Sequence, residues 1–241
     1  MTTGFIDKTA LADLAASFGV SLDETALDRF DLYAKLLCEW NEKINLTAIT
    51  DPGEIVVKHF ADSLSVLGAV SVKQGAALID VGTGAGFPGL ALKIARPDLR
   101  ITLLDSTKKK LLVLADIAEK LGLDVDLVHK RAEEAGRDPL LREQFDFAAA
   151  RAVANLRELA EYCLPFVRVG GRFLAMKSAK TEAELDEAKT AVRLLGGRIA
   201  AVHPVSLPAA GERTVIEIEK RSTTPAAYPR PAAKIARFPL K

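Results

Sequence analysis

The feature that most constrains the fold is a regular alternation of apolar runs and amphipathic stretches from residue 76 onward. Strands are predicted at 77–81, 101–104, 125–128, 145–150, 172–176, 198–202 and 214–219, and helices at 90–95, 108–121, 155–167 and 181–195. This pattern is typical of a mostly parallel seven-stranded sheet with helices on both faces. Only 203–213 separate the last two strands. Because that is too short for a parallel crossover, we expect one of them to run antiparallel at the sheet edge.

The first seventy residues differ from the rest, because they have helical periodicity and no strand pattern. Apolar side chains recur at helical spacing between Leu27 and Trp40. Asp51 and Pro52 then restart a helix, since proline is favoured in a first helical turn. We predict an N-terminal helical extension over 1–70, an α/β domain over 71–221 and a basic, Pro/Ala-rich tail over 222–241.

A glycine-rich turn follows the first predicted strand. Gly82, Gly84, Gly86 and Gly89 fall within eight residues, and Pro88 stands where the next helix would begin. Glycines let the backbone turn tightly and approach a ligand closely, while a helix N-terminus presents N–H groups to it. In a doubly wound sheet, a nucleotide-like cofactor lies at this turn.

Two cofactors fit this turn, and Asp80 favours one of them. From Gly84 onward, the sequence satisfies the dinucleotide pattern G-x-G-x-x-G that is typical of NAD sites. From Asp80 onward, it is an acid-x-G-x-G-x-G motif, whose carboxylate would repel a pyrophosphate. S-adenosylmethionine has an ammonium, a sulfonium and no phosphate. The turn therefore favours a methyltransferase, with a NAD-dependent oxidoreductase as the alternative.

Charged residues follow the next three strands. Asp105 ends the second strand, where a carboxylate accepts hydrogen bonds from the ribose of either cofactor. Glu133 follows the third strand and Arg151 closes the fourth. Since the carboxyl ends of parallel strands share one edge, we expect Glu133 near the adenosine end of the cofactor and Arg151 at the mouth of the site. An exposed loop glutamate and a surface arginine are the alternatives.

Composition limits the class of protein. Of the 241 residues, 49% are hydrophobic and 27% are charged, as in globular domains. No apolar run approaches the ~18–20 residues of a membrane helix, and Asp7 and Asp13 interrupt any signal-peptide core. Cys38 and Cys163 have neither a disulfide framework nor metal-ligand spacing. We expect a cytoplasmic protein with no metal and no membrane partner, and a monomer by default.

Charge is distributed unevenly along the chain. Residues 1–75 carry eleven acidic and six basic residues, whereas the last 22 carry six basic residues and no acidic ones. Concentrated lysine and arginine attract polyanions. The tail is therefore either a solvated, frayed terminus or an arm that contacts phosphates.

Several segments together indicate a family. They are 40–47 (WNEKINLT), 59–64 (HFADSL), 79–89 (IDVGTGAGFPG), 104–106 (LDS), 131–133 (RAE), 151–152 (RA) and 228–230 (YPR). On these residues the chain resembles, over nearly its whole length, the 16S ribosomal RNA guanine-N7 methyltransferases, once called glucose-inhibited division protein B. The glycine turn alone marks only a superfamily, whereas NLT and DSL beside GFPG are far more specific.

The resemblance implies a Rossmann-like class I methyltransferase with S-adenosylmethionine as cofactor. Gly82 and Phe87 would contact the cofactor, Asp105 would hold its ribose, and Ala132 and Glu133 would lie near its adenine. Together with the rest of the glycine turn, the predicted cofactor site comprises Asp80, Gly82, Gly84, Gly86, Phe87, Asp105, Ala132, Glu133 and Arg151.

The expected substrate is a guanine of 16S ribosomal RNA, either free or in the small subunit. Guanine N7 carries a free lone pair, so direct in-line attack needs no general base and no covalent intermediate, and we name no catalytic residue. N7 is hidden in A-form helices, which favours an unpaired or opened guanine. A non-catalytic ribosome-assembly factor is a further alternative, against which the intact glycine turn argues.

RNA contacts are predicted at the rim of the site. The candidate residues are Arg131, Arg151, Lys177, Asn45 and His59. A helix cap is the alternative role for Asn45, and packing against the catalytic domain is the alternative for His59. The lysines at 108–110 are also candidates, although a solvated helix face is favoured for them.

Overall fold

A single sheet organises the protein, whose computed structural model describes residues 4–151, 154–178, 182–208 and 210–240. The strands are β1 (Ala77–Val81), β2 (Arg100–Asp105), β3 (Asp126–His129), β4 (Phe145–Arg151), β5 (Val167–Ser178), β6 (Gly197–Leu207) and β7 (Gly211–Lys220). Their order across the sheet is β3-β2-β1-β4-β5-β7-β6. Strands β1 to β5 are parallel, and β7 runs antiparallel to β5 and to β6. The predicted mostly parallel, seven-stranded α/β fold is confirmed.

The helices begin and end at residues with a local reason to do so. They are α1 (Lys8–Ser17), α2 (Glu24–Asn41), α3 (Pro52–Glu54), a π-helical stretch (Ile55–Ala61), α4 (Asp62–Ala69), α5 (Gly89–Ala95), α6 (Lys108–Leu121), α7 (Ala132–Ala135), α8 (Leu156–Cys163), α9 (Glu182–Leu194) and α10 (Ala232–Arg237). The Asp23 and Asp51 carboxylates accept hydrogen bonds from backbone N–H groups in the first turns of α2 and α3. Gly122, in the left-handed conformation, ends α6.

Helices cover both faces of the sheet. Leu78 points into one core, which holds α5, α6 and the helices before β1, whereas Ala77 and Ile79 point into the other, with α8 and α9. The strand period of two produces this alternation. The N-terminal helices thus share a core with the sheet, and the domain division made from the sequence stays a prediction.

Two side-chain hydrogen bonds fix helix α2 to the glycine turn and to α6. The Tyr33 hydroxyl, fully buried, donates a hydrogen bond of 2.6 Å to the Ala85 carbonyl in the glycine turn. The Trp40 indole donates one of 2.7 Å to Asp116 on α6. The N-terminal helices therefore support the turn that the sequence predicts to bind the cofactor.

Replacing Tyr33 by phenylalanine tests this support. The change leaves the ring in place but deprives the buried Ala85 carbonyl of its donor, so we expect the free energy of unfolding to fall by about 1–2 kcal/mol. Urea unfolding monitored by circular dichroism measures this free energy. An unchanged free energy of unfolding would contradict a supporting role for the hydroxyl.

Three sequence predictions differ from the observed elements. The helix expected over 155–167 stops at Cys163, because Pro165 lies in a short 3₁₀ turn, Leu164–Phe166. The turn expected at Gly170 lies inside β5, where Gly170 has a φ of +83° and the pairing with β4 shifts register. An antiparallel strand is confirmed, but it is β7, inside the sheet, and β6 forms the edge.

The C-terminal segment, residues 221–240, packs back on the domain. Ile235 and Leu240 are buried, and the Arg230 guanidinium forms an ion pair with Glu161 on α8. A frayed terminus is thereby excluded for its described part.

Candidate active site

The glycine turn leaves β1 through residues in the left-handed conformation. Gly82, Gly84 and Gly86 have φ angles of +73°, +59° and +98°. At Gly86 a side chain is also excluded by space, because a Cβ atom would collide with the Tyr33 hydroxyl. At Gly82 a Cβ atom would meet nothing within 4 Å, so the backbone there faces open space.

Asp80 lies fully buried beneath the turn and closes it. Its Oδ2 accepts hydrogen bonds from the Thr83 hydroxyl at 2.7 Å and from the Gly89 N–H, at the start of α5, at 2.8 Å. Its Oδ1 is buried without a partner among the described residues. Burial raises the pKa of the carboxyl to about 6, against the opposing effect of these hydrogen bonds and of Arg151. The Oδ1 atom of Asp80 is therefore available to accept a hydrogen bond or to pair with a cation.

A cavity of about 400 Å³ opens at the carboxyl ends of β1, β2 and β3. Its wall contains Gly82, Asp105, Ala132 and Glu133, four of the predicted cofactor residues. The Asp105 Oδ2 accepts a hydrogen bond from the Gly84 N–H at 3.0 Å, and its Oδ1 accepts one from the Thr107 N–H at 2.7 Å. Asp105 thus fixes the glycine turn as well as facing the cavity. Such a volume is typical of small-molecule sites, which span ~300–1,000 Å³.

The other predicted cofactor residues lie beside this cavity. Asp80, Gly86 and Phe87 are buried in or under the turn, and Gly84 is half-buried within it. Arg151 lines a different cavity. Tyr162 and Ala232, which were not predicted from the sequence, also line this first cavity. A residue as plain as Ala232, in a distant tail, carries no signal that could have found it.

An aromatic stack joins the glycine turn to the helices before β1. The His59 ring stacks on Phe87 with centroids 4.5 Å apart, and the Arg151 guanidinium lies 4.8 Å from the centre of the same ring. Arg151 also donates to the Lys58 carbonyl at 3.0 Å and to the Asp62 carboxylate at 3.1 Å. The π-helical stretch, which carries Lys58 and His59, is thus held against the end of β4.

His59 is held neutral by its surroundings. Its Nε2 lies 2.9 Å from the Thr47 hydroxyl and its Nδ1 lies 3.3 Å from Arg151. Burial, followed by the nearby Arg151 charge, lowers its pKa to about 3. Of its two expected roles, the structure shows packing against the glycine turn.

This pKa predicts a pH-dependent stability. Because the folded pKa lies below the unfolded value of 6.5, His59 contributes stability that is complete above pH 6.5 and is lost as the pH falls toward 3. Between pH 6 and 4, the stability advantage of the wild type over His59→Gln should fall by about 1.4 kcal/mol per pH unit. Urea unfolding of both proteins at several pH values measures this. A difference that does not change with pH would refute it.

A second, polar cavity of about 310 Å³ lies at the same sheet edge, beyond β4. It is lined by Asp62, Ser65, Arg151, Met176, Lys177, Ser178, Arg213, Thr214 and Val215. Only Arg151 and Lys177 were predicted from the sequence. Asp62 and Arg213 were missed as site residues, since they come from α4 and β7 and meet only in the fold, with Nε and Oδ1 3.9 Å apart.

The structure separates the predicted RNA contacts. Arg131 is exposed at the first cavity, and Asn45 is exposed in the loop after α2, where it caps no helix. The Lys177 ammonium donates to the Ala154 carbonyl at 2.7 Å and lies 2.8 Å from the Glu184 carboxylate. Among the lysines at 108–110, Lys110 also lines the first cavity rather than lying on a solvated face.

The residues around the first cavity fit S-adenosylmethionine. Asp80 is not in the cavity lining, but beneath the turn it has a buried carboxylate oxygen without a partner among the described residues, which suits an ammonium group. Asp105 and Glu133 add carboxylates to the wall, which suit ribose hydroxyls and an adenine amino group. Gly82 leaves the turn open to the cavity.

Comparison with solved structures identifies the type of fold. The chain is similar to TrmN from Thermus thermophilus (TM-score 0.51, 18% identity, covering 68% of this chain and 53% of that one). It is also similar to a 16S rRNA (adenine(1408)-N(1))-methyltransferase variant from Catenulisporales acidiphilia (TM-score 0.52, 14% identity, covering 62% and 87%). At these identities the likeness shows the fold alone, which is that of the class I S-adenosylmethionine-dependent methyltransferases.

Sequence relatives define the family. Residues 26–215 match the GidB family, described as rRNA small subunit methyltransferase G, and the chain belongs to this family. The ribosomal RNA small subunit methyltransferase G of Acetivibrio thermocellus is 49% identical over 235 residues, covering 97% of this chain and 96% of the relative. That of Alkaliphilus metalliredigens is 44% identical over 236 residues, covering 97% and 99%. The resemblance stated from the sequence is confirmed.

No helix in the part of the chain that the structure describes is long and apolar enough to cross a membrane. No group of three or more His, Cys, Asp or Glu side chains there has the arrangement of a metal site.

Proposed function

We propose that this protein transfers a methyl group from S-adenosylmethionine to N7 of a guanine in the 16S RNA of the small ribosomal subunit. The observation that carries the proposal is the position of the two cavities. Both lie at the carboxyl edge of one sheet, and the contact of Arg151 with Phe87 links the second cavity to the glycine turn. Membership of a family of small-subunit rRNA methyltransferases supports RNA as the substrate.

The cofactor is proposed to lie in the first cavity. Asp80 would accept a hydrogen bond from its ammonium group, Asp105 would bind the ribose, and Ala132 and Glu133 would contact the adenine. When bound, S-adenosylmethionine supplies an electrophilic methyl group on a sulfonium. The protein's contribution is then to fix that methyl group in line with the attacking nitrogen and to exclude water.

The target guanine is proposed to enter the second cavity. Arg151 and Arg213 offer donors to its O6, and the buried Asp62 carboxylate offers an acceptor for its N1 and N2 hydrogens. Because A-form RNA hides the N7 edge, the base would have to come from a loop or be turned out of a helix. Arg131, which is exposed at the first cavity, would contact the RNA backbone.

The described residues around the two cavities favour direct attack. Neither lining contains a cysteine or a histidine. Cys163 is fully buried in the core behind β4, where burial raises the pKa of its thiol well above the usual range. His59 is neutral and its two ring nitrogens are engaged. We therefore propose catalysis by positioning and desolvation, with no general base.

A nucleobase replacement tests the attacking atom. Small subunits reconstituted with 16S RNA that contains 7-deazaguanine keep every Watson–Crick group of guanine but lack the N7 lone pair. We expect transfer of labelled methyl to control subunits reconstituted with unmodified 16S RNA, and none to the subunits that contain 7-deazaguanine. Transfer to the 7-deaza particles at the control rate would refute N7 as the acceptor.

A further inference from the structure

The C-terminal segment is fastened to helix α8 by a buried ion pair. Glu161 is fully buried, and its Oε1 accepts hydrogen bonds from the Arg230 backbone N–H and from Nε, both at 2.8 Å. Its Oε2 accepts one from the same guanidinium at 2.7 Å. This two-pronged contact fixes both the position and the orientation of Arg230.

A second set of contacts ties the segment to the residues that follow α7. The Arg137 guanidinium donates to the carbonyls of Ala226, Ala227 and Pro229 at 2.8–3.2 Å. The Arg142 guanidinium joins the two elements, because it donates to the Gly136 carbonyl at 2.8 Å and to the carbonyls of Thr224, Pro225 and Tyr228 at 2.6–3.3 Å.

These two anchoring elements are the ones that form the adenine side of the cofactor cavity. Ala132 and Glu133 belong to α7, and Leu159 and Tyr162 belong to α8. Helix α7 has only four residues, too few to be stable by itself, so its position depends on what packs against it. Pro229 lies within 3.1 Å of where a Cβ atom on Gly136 would be, directly at the end of α7.

The segment also contributes to the cavity itself. Ala232, the first residue of α10, lines the cavity as Tyr162 does, whereas the next residue, Ala233, is exposed to solvent. The segment therefore both touches the cavity and holds two of the elements around it.

We propose that the C-terminal segment forms part of the wall of the cofactor cavity through Ala232, fastened through Arg230 and Glu161, and that Arg137 is a positioning residue for the adenine side. The inference rests on the proposed cofactor site. It assigns the tail a part in binding S-adenosylmethionine rather than a role only as a phosphate-contacting arm.

Two neighbouring alanines provide a matched test. Ala232→Leu places a larger side chain at the cavity. Ala233→Leu places the same larger side chain at the solvent-exposed surface, and it serves as the control. By titration calorimetry with S-adenosylhomocysteine, we expect Ala232→Leu to weaken binding about tenfold or more and Ala233→Leu to leave it unchanged, with melting temperatures equal. Equal affinities for both variants and the wild type would overturn the inference, while leaving the proposed function intact. Failure of the wild type itself to bind would overturn both.

A second pair of variants tests the positioning role without filling the cavity. Arg137→Ala removes the hydrogen bonds to the segment, and Arg198→Ala, at the exposed edge of the sheet, serves as control. We expect Arg137→Ala to weaken S-adenosylhomocysteine binding several-fold and to speed amide exchange in 226–237. In the wild type, ligand should protect the same peptide from exchange. Wild-type affinity and exchange in Arg137→Ala would contradict the positioning role.

Discussion

Replacing Asp80 by asparagine is expected to weaken S-adenosylmethionine binding by about 100-fold while leaving the fold intact. The amide oxygen can still accept the hydrogen bonds of Thr83 and Gly89, which hold the glycine turn closed. What is lost is the negative charge and the second, unpartnered oxygen that we assign to the cofactor ammonium. Because a buried carboxylate with a raised pKa costs stability above pH 6, the melting temperature at pH 8 should equal or exceed that of the wild type.

The pH dependence of binding gives an independent check of this assignment. A cationic ligand prefers the ionised carboxylate, so wild-type affinity should fall as the pH drops below about 6, where Asp80 becomes protonated. In Asp80→Asn that fall should disappear. Calorimetry between pH 5 and 8 measures both proteins. Asp80→Ala also removes the hydrogen bonds that support the turn, so it shows the loss of affinity expected when both the charge and that support are absent. Wild-type affinity in Asp80→Asn with loss only in Asp80→Ala would show that Asp80 acts through the turn alone.

Replacing Arg151 by alanine is expected to lower kcat by about 100-fold or more, with cofactor affinity changed only a few-fold. Arg151 lies in the second cavity and holds the π-helical stretch against the glycine turn through Lys58, Asp62 and Phe87. Its loss is expected to displace the guanine in the second cavity and not the cofactor in the first. A displacement of about 1 Å at a reacting group can lower the rate 100-fold. Single-turnover methylation at saturating cofactor, with separate calorimetry, distinguishes the two effects.

Two further variants keep the Arg151 test specific. Arg151→Lys retains the charge but cannot form the planar, multiple contacts of a guanidinium, so we expect only partial recovery of the rate. Arg168→Ala serves as the control and should leave the rate unchanged. Arg168 pairs with Asp146 near the starts of β5 and β4, whereas Arg151 lies at the end of β4. An equal loss of rate in Arg168→Ala would trace the effect to general destabilisation, and a normal rate in Arg151→Ala would contradict the proposed base site.

The sequence predicted the parts of the fold that depend on local pattern. The alternation after residue 76 predicted seven strands, and the spacing from Asp80 to Gly89 predicted the turn after β1. The predicted start of β5 was wrong, because a glycine that usually marks a turn lies inside the strand. Gly170 lies inside β5 rather than before it, because a shift in register absorbs its left-handed conformation.

The site itself was predictable only in part, because long-range contacts build the rest. Asp105 ends β2 and Glu133 follows β3, and these strands end at one edge, so the topology alone brings both residues to the first cavity. Arg213 and Asp62 are 151 positions apart along the chain, and no local pattern joins them. The same holds for Arg230 and Glu161, whose pairing turns a basic tail into a packed element.

The most direct test of the proposed function is the identity of the methylated nucleoside. Small subunits that lack this modification are incubated with the protein and labelled S-adenosylmethionine, and the RNA is digested and analysed by mass spectrometry. The account predicts N7-methylguanosine at a single position of 16S RNA. Label on any other nucleoside, or no transfer to subunits or to their free RNA by a protein that binds the cofactor, would contradict it.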